Sequence, residues 1–163
     1  SKLSGGLRQR ILVTMAIATE AEMIFLDEPT IGLDPISKMN VWRYIGQYAR
    51  MGCTFVLTTQ DMDEAEILSE RVAIMDRGKL IAYGDLQSLK SKIKSKIRIE
   101  IKGHVSEEKL RKYGSIINLS DKLLLYTDEK FTEEVAELAM ASDCQITISP
   151  IRLEDVFISL VGV

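Results

Sequence analysis

Four apolar residues, Met23–Leu26, run straight into two adjacent carboxylates, Asp27 and Glu28, and then a proline, Pro29. A short apolar run stopped in this way reads as a buried parallel strand, and parallel sheets place their ligands at the C-terminal ends of strands. This feature narrows the fold class more than any other, because parallel strands need crossover helices on their faces. The flanking sequence supplies them. Ser4 is a candidate cap for a helix from about Leu7, with Ile11, Leu12, Met15 and Ala18 on one face. Residues 37–51 carry Val41, Ile45 and Tyr48 at helical spacing behind Ser37 as a cap. Residues 54–58 read as a second buried strand, 63–68 as a short helix, and 72–75 and 79–83 as strands joined at Arg77-Gly78. Strands interleaved with helices predict an α/β layer with a mostly parallel sheet.

After Ser88 the pattern changes. Asp85 is placed to cap a helix to about Lys92, and Lys90, Lys92, Lys94 and Lys96 form a basic linker over 89–95 and its edge. Ile97, Ile99 and Ile101 alternate with Arg98, Glu100 and Lys102, the period of a half-buried strand. A helix capped by Ser106 and ended by Gly114, strands at 115–120 and 122–127, a helix from Thr132, a strand at 145–149 and a helix at 153–160 complete the chain. The order β-α-β-β-α-β predicts a ferredoxin-like α+β domain over 96–163.

Composition excludes several classes. Residues 1–88 hold 9 Lys+Arg against 12 Asp+Glu, net −3, and residues 89–163 hold 12 against 12, so neither half presents the basic excess of a nucleic-acid binder. No apolar run approaches the roughly 20 residues of a spanning helix, so a membrane role goes through a partner. Cys53 and Cys144 lack metal-ligand spacing and fit a reducing cytosol. His104, the sole histidine, reads as a surface loop residue.

The chemistry-bearing residues stand in three groups. Leu3-Ser4-Gly5-Gly6-Leu7-Arg8-Gln9-Arg10 is a helix start prefaced by a hydroxyl and two glycines, which lets a phosphate approach unpaired backbone N–H groups. Asp27 suits a magnesium ion held through its water shell, and Glu28 suits polarising a water for attack on phosphorus. Gly32-Leu33-Asp34-Pro35 follows within a few residues.

LSGGLRQR, IFLDEP, GLDP and TTQDMDEAE together resemble the ATPases of ABC transporters in order and spacing, over residues 1–84. The resemblance implies that Ser4, Gly5 and Gly6 form the signature motif, which contacts nucleotide bound to an opposing subunit. It implies that Asp27 is the magnesium-binding Walker B aspartate, Glu28 the catalytic glutamate, and Asp34 part of the loop linking two sites across a head-to-tail dimer. ATP and Mg²⁺ are the expected cofactors of the complete protein. Leu153-Glu154-Asp155-Val156-Phe157 resembles the C-terminal segment of multidrug- and antibiotic-export ATPases of the daunorubicin-resistance type. Those work with a separate polytopic permease, which implies a cytoplasmic protein peripheral to the inner face of the membrane. Two positions depart from the family: Leu7 where many members have glutamine, and Gln60 where the family has a switch histidine. A glutamine donates a hydrogen bond but cannot take up a proton.

No G-x-x-x-x-G-K-[ST] occurs in these residues, and Gly78-Lys79 sits in a turn. The fold expectation is therefore an α/β, partial P-loop NTPase sheet lacking its N-terminal half (1–88), a linker (89–95) and the ferredoxin-like domain (96–163). The chain alone is expected not to bind or hydrolyse ATP. A non-catalytic regulatory or assembly module acting through 96–163 is the alternative reading.

Overall fold

The computed structural model describes residues 5–162, with the side chain of Arg8 left out. The chain divides into two compact units, Ser1–Val72 and Ala73–Val163. In the first, helix α1 (Gly5–Ile17) precedes strand β1 (Met23–Asp27), helix α2 (Pro35–Arg50), strand β2 (Thr54–Thr58) and helix α3 (Met62–Leu68). β1 and β2 pair in parallel from Met23↔Thr54 to Asp27↔Thr58. Val13 and Ile17 of α1, Ile24 and Leu26 of β1, and Val41 and Ile45 of α2 form one core, with Phe55, Leu57 and Leu68 packed against it.

Three expectations are corrected here. The strands were expected to be buried throughout, yet only one face of each is covered: Phe25 is 71% exposed and Val56 44%. Both α1 and α2 pack into the same core, so among the described residues the odd-numbered side chains of β1 stay exposed. Ser37 does not cap α2. Asp34 does, accepting from the Ser37 N–H at 3.0 Å, with Pro35 in the first helical turn where a missing N–H costs nothing. The strands expected at 72–75 and 79–83 do not join the parallel pair. They are β3 (Arg71–Asp76) and β4 (Lys79–Asp85), a separate two-stranded sheet. Arg77 and Gly78 both adopt positive φ (46° and 74°), the two-residue turn whose twist suits a hairpin.

Asp85 caps helix α4 (Leu86–Lys90), accepting from the Ser88 N–H at 2.8 Å. There follow β5 (Ile97–Lys102), α5 (Glu107–Leu110), β6 (Gly114–Leu119), β7 (Lys122–Thr127), a 3₁₀ turn at Glu129–Phe131, α6 (Thr132–Met140), β8 (Gln145–Pro150) and α7 (Leu153–Val161). Four strands form one sheet in the order β6-β7-β5-β8, with every neighbour antiparallel. Gly114 does not end α5, which stops at Leu110 and whose Ser106 makes no side-chain cap. Gly114 opens β6, where a Cβ would collide with the Tyr126 carbonyl across the strand pair.

One face of this sheet carries Ile99, Ile101, Leu123 and Leu125 under Leu110, Val135 and Ala139. The other was expected to be the polar, half-exposed side of β5. It is covered instead: Leu124 and Tyr126 form a second cluster with Ile151, Ile93 and Ile158, and Arg98 is 5% exposed. The cause lies in the motif Leu153–Phe157. Leu153 and Val156 of α7 are fully buried, and Asp155 between them is buried with a charge that Arg98 meets.

Candidate functional site

The parallel register brings the ends of β1 and β2 side by side and so fixes the site. Asp27 stands opposite Thr58, whose hydroxyl donates to Asp27 Oδ1 in a short hydrogen bond. The next residue, Glu28, leaves the ladder. Its N–H still donates to the Thr58 carbonyl at 3.0 Å, but its φ is +47°, a left-handed conformation that costs a non-glycine residue roughly 1–3 kcal/mol. Such strain survives only where neighbours over-determine it. Here the Gln9 amide of α1 donates to the Glu28 carbonyl at 3.2 Å, and the Gln60 N–H donates to Glu28 Oε2 at 3.3 Å. Two segments, α1 and the end of β2 with the residues after it, thus hold Glu28, and the Gln60 N–H is the contact to its carboxylate.

The adjacent Asp27 and Glu28 thus meet Gln60, which lies far along the sequence. Asp34 stands apart from them as the N-cap of α2, and hydrogen bonds from the Ser37 hydroxyl and N–H hold its carboxyl below the usual range. Gly5 and Gly6 form the first residues of α1. A Cβ on Gly6 would lie 3.3 Å from the Leu33 side chain, so the start of α1 sits against the loop that carries Asp34. Ser4 lies outside the described residues. Gln9 and Thr58 are contacts of the candidate site that sequence reasoning passed over. Both stood inside quoted motifs, but only the folded register shows what they touch.

The residues fit a hydrated magnesium ion. Thr58 takes one oxygen of the exposed Asp27 carboxylate and leaves Oδ2 as an acceptor for the water shell of a cation. Among the described residues no group of three His, Cys, Asp or Glu forms a protein cage. A single carboxylate reaching a hydrated ion that also binds phosphate is the arrangement magnesium favours in nucleotide sites.

The fold has a solved counterpart. An ATP-binding subunit of an ABC transporter superposes on 55% of the chain with a TM-score of 0.51 at 24% identity, covering 38% of that structure. The chain thus shares the α/β fold of ABC-type ATPase domains over about half its length. No family model matches it. The Nod factor export ATP-binding protein I of Neorhizobium galegae is 32% identical over 165 residues, which cover 99% of this chain and 48% of that protein. The daunorubicin/doxorubicin resistance ATP-binding protein DrrA of Streptomyces peucetius is 43% identical over 94 residues, 58% of this chain and 28% of that protein. The chain is a homologue of the ATP-binding proteins of ABC transporters, and it spans about half the length, or less, of these relatives.

Proposed function

We propose that this chain supplies the signature, Walker B, catalytic and D-loop residues of the ATP-hydrolysing subunit of an ABC exporter. The observation that carries the proposal is the strained Glu28, held by Gln9, Thr58 and Gln60 one residue beyond Asp27. In this reading Mg²⁺, when bound, neutralises charge on the phosphates. Asp27 holds its water shell. Glu28 orients the attacking water and draws off its proton, and Gln60 donates a hydrogen bond towards the phosphoryl oxygens, where charge gathers in the transition state. Ser4, Gly5 and Gly6 act in trans, on nucleotide held by a second subunit packed head to tail, and Asp34 links the two sites.

The phosphate-cradling loop belongs to a preceding segment that the longer relatives have room for, and that segment covers the bare face of β1 and β2 at Met23, Phe25 and Val56. No helix among the described residues is long and apolar enough to cross a membrane. In the proposed reading a polytopic permease supplies the transport path, with this subunit on the cytoplasmic face of the membrane and no nucleic acid involved. Residues 96–163 are the accessory domain, read as ferredoxin-like from the β6-β7-β5-β8 order and the β-α-β-β-α-β sequence of elements. Its sheet is packed on both faces, so the domain holds a core of its own, a condition that the second reading, a partner-binding module acting without hydrolysis, also requires.

Calorimetric titration of the chain with ATP and Mg²⁺ separates these statements. No binding is expected in the micromolar range, because the phosphate loop is elsewhere; tight binding by the chain alone would refute the proposed division of the site. In the complete protein, replacing Gln60 by histidine is expected to raise ATP turnover by about 10²-fold. Histidine-like turnover already present in the wild type, with no gain in the variant, would show that the glutamine amide suffices.

A further inference from the structure

Helices α2 and α3 pack side by side, and each leaves a loop that carries a site residue. α2 starts from Asp34; α3 starts from Asp61, the neighbour of Gln60, and Asp61 caps α3 by accepting from the Glu64 N–H at 3.0 Å. Two side-chain bonds cross between them. Lys38 in the first turns of α2 pairs with Asp61 Oδ2 in a short ion pair, and the Trp42 indole N–H donates to Glu64 Oε1 at 2.8 Å. Lys38 and Trp42 are four residues apart, and Asp61 and Glu64 three, so the rungs stack one helical turn apart on facing sides. The Lys38 ammonium also lies 5.2 Å from the centre of the Trp42 ring, which joins the rungs to each other.

Glu64 is the odd member. It is fully buried, and its second oxygen, Oε2, has no hydrogen-bond partner among the described residues. Stability alone does not call for a carboxylate there, since a well-packed apolar side chain in such a place is usually as stable or more so. In some proteins a buried polar bond fixes the registration of two helices that apolar packing would let slide, and the Trp42–Glu64 bond is placed to do so here. The consequence reaches the site directly: Gln60 precedes the capped residue, Thr59 Oγ1 accepts from the Asp61 N–H at 3.0 Å, and the Gln60 N–H holds Glu28.

We propose that the Lys38–Asp61 and Trp42–Glu64 rungs lock the Gln60 loop to the helix that begins at Asp34, so that Trp42 and Glu64 are positioning residues for Gln60. Only the turnover part of this inference rests on the proposed function. Site-resolved amide exchange on the full 163-residue chain tests the rest, with the fluorescence of Trp42, its one tryptophan, reporting whether the inner rung is intact. Glu64→Leu is expected to speed exchange at Gln60 about tenfold while Ile24 and Leu26 in β1 stay unchanged. Glu64→Gln keeps the acceptor and is expected to leave Gln60 within twofold of wild type. Should Glu64→Leu fail to fold, Lys38→Met breaks the half-exposed outer rung and carries the test alone, with the same local speeding expected. Unaltered exchange at Gln60 in the rung-breaking variants, or an equal rise at Gln60 and across β1, overturns the proposal. In the complete ATPase, Glu64→Leu is expected to lower kcat about tenfold at unchanged KM for ATP, with Glu64→Gln restoring it. If Glu28→Gln leaves turnover intact, the proposed function fails, and the exchange result still decides the ladder.

Discussion

Replacing Glu28 by glutamine in the complete ATPase is expected to lower ATP turnover by about 10²–10⁴-fold, the usual worth of a positioned general base. The substitution keeps the size of the side chain and its carbonyl oxygen, so the Gln60 N–H retains an acceptor and the loop geometry survives. What is lost is the group that, in the proposed mechanism, takes the proton from the attacking water. Nucleotide affinity is expected to stay within a few-fold of wild type, because the proposed role of Glu28 is confined to the hydrolytic step and the proposal puts the phosphate cradle elsewhere. Phosphate release and equilibrium nucleotide binding, measured on the same preparation, distinguish this outcome from a folding defect. A loss of binding equal to the loss of turnover would place Glu28 among the structural residues of the loop. Wild-type turnover would remove it from the chemistry altogether.

Asp155→Ala is expected to destabilise the second unit by about 3 kcal/mol, read as a fall in the denaturation midpoint of the chain. Asp155 is fully buried and accepts from the Tyr126 hydroxyl at 3.0 Å and from the Arg152 N–H at 2.7 Å, with Arg98 Nη1 at 3.5 Å. Its removal strips three groups of a partner at once and leaves the Arg98 guanidinium under α7. The figure sits at the low end of the range for a broken buried pair, because Glu100 at 2.9 Å and Glu154 at 3.3 Å remain beside Arg98. The same network gives an alkaline limit. Burial, and then the Asp155 carboxylate beside it, push the Tyr126 hydroxyl well above the ordinary tyrosine range. A group whose pKa is raised by folding stabilises the protein below the unfolded value, about 10, and loses that contribution as pH climbs towards the folded value. Stability is therefore expected to fall above about pH 10, and Tyr126→Phe is expected to flatten that fall while costing about 1 kcal/mol at neutral pH. A cost under about 0.5 kcal/mol for Asp155→Ala would show that apolar contacts of Leu153 and Val156 alone hold α7 in place.

Much of this protein was legible in its residues. The strand at 54–58 and the hairpin turn at Arg77-Gly78 were legible locally, because turn chemistry and apolar runs act over a few residues. The paired carboxylates at the end of β1 announced a site for the same reason. Cover over a face was less legible. The alternation of Ile97, Ile99 and Ile101 with Arg98 and Glu100 fits a half-exposed strand, and nothing local says that a helix some fifty residues later will bury Arg98 and bring Asp155 to it. The cap of α2 was misplaced at Ser37 because serine and aspartate both cap well, and the choice depends on where Pro35 starts the helix.

The residues alone determined which groups the site can offer: an apolar strand delivering Asp27 and Glu28, glycines before a helix, and a glutamine at position 60. Those follow from side-chain chemistry and from spacing within single elements. Only the tertiary structure decided what restrains them. The parallel register sets Thr58 on Asp27; Gln9 and Gln60, from opposite ends of the first unit, close on Glu28 and hold it in a left-handed conformation. The physical reason is that registration between elements depends on contacts between residues far apart in the chain, such as Trp42 with Glu64, whose partners no local pattern names.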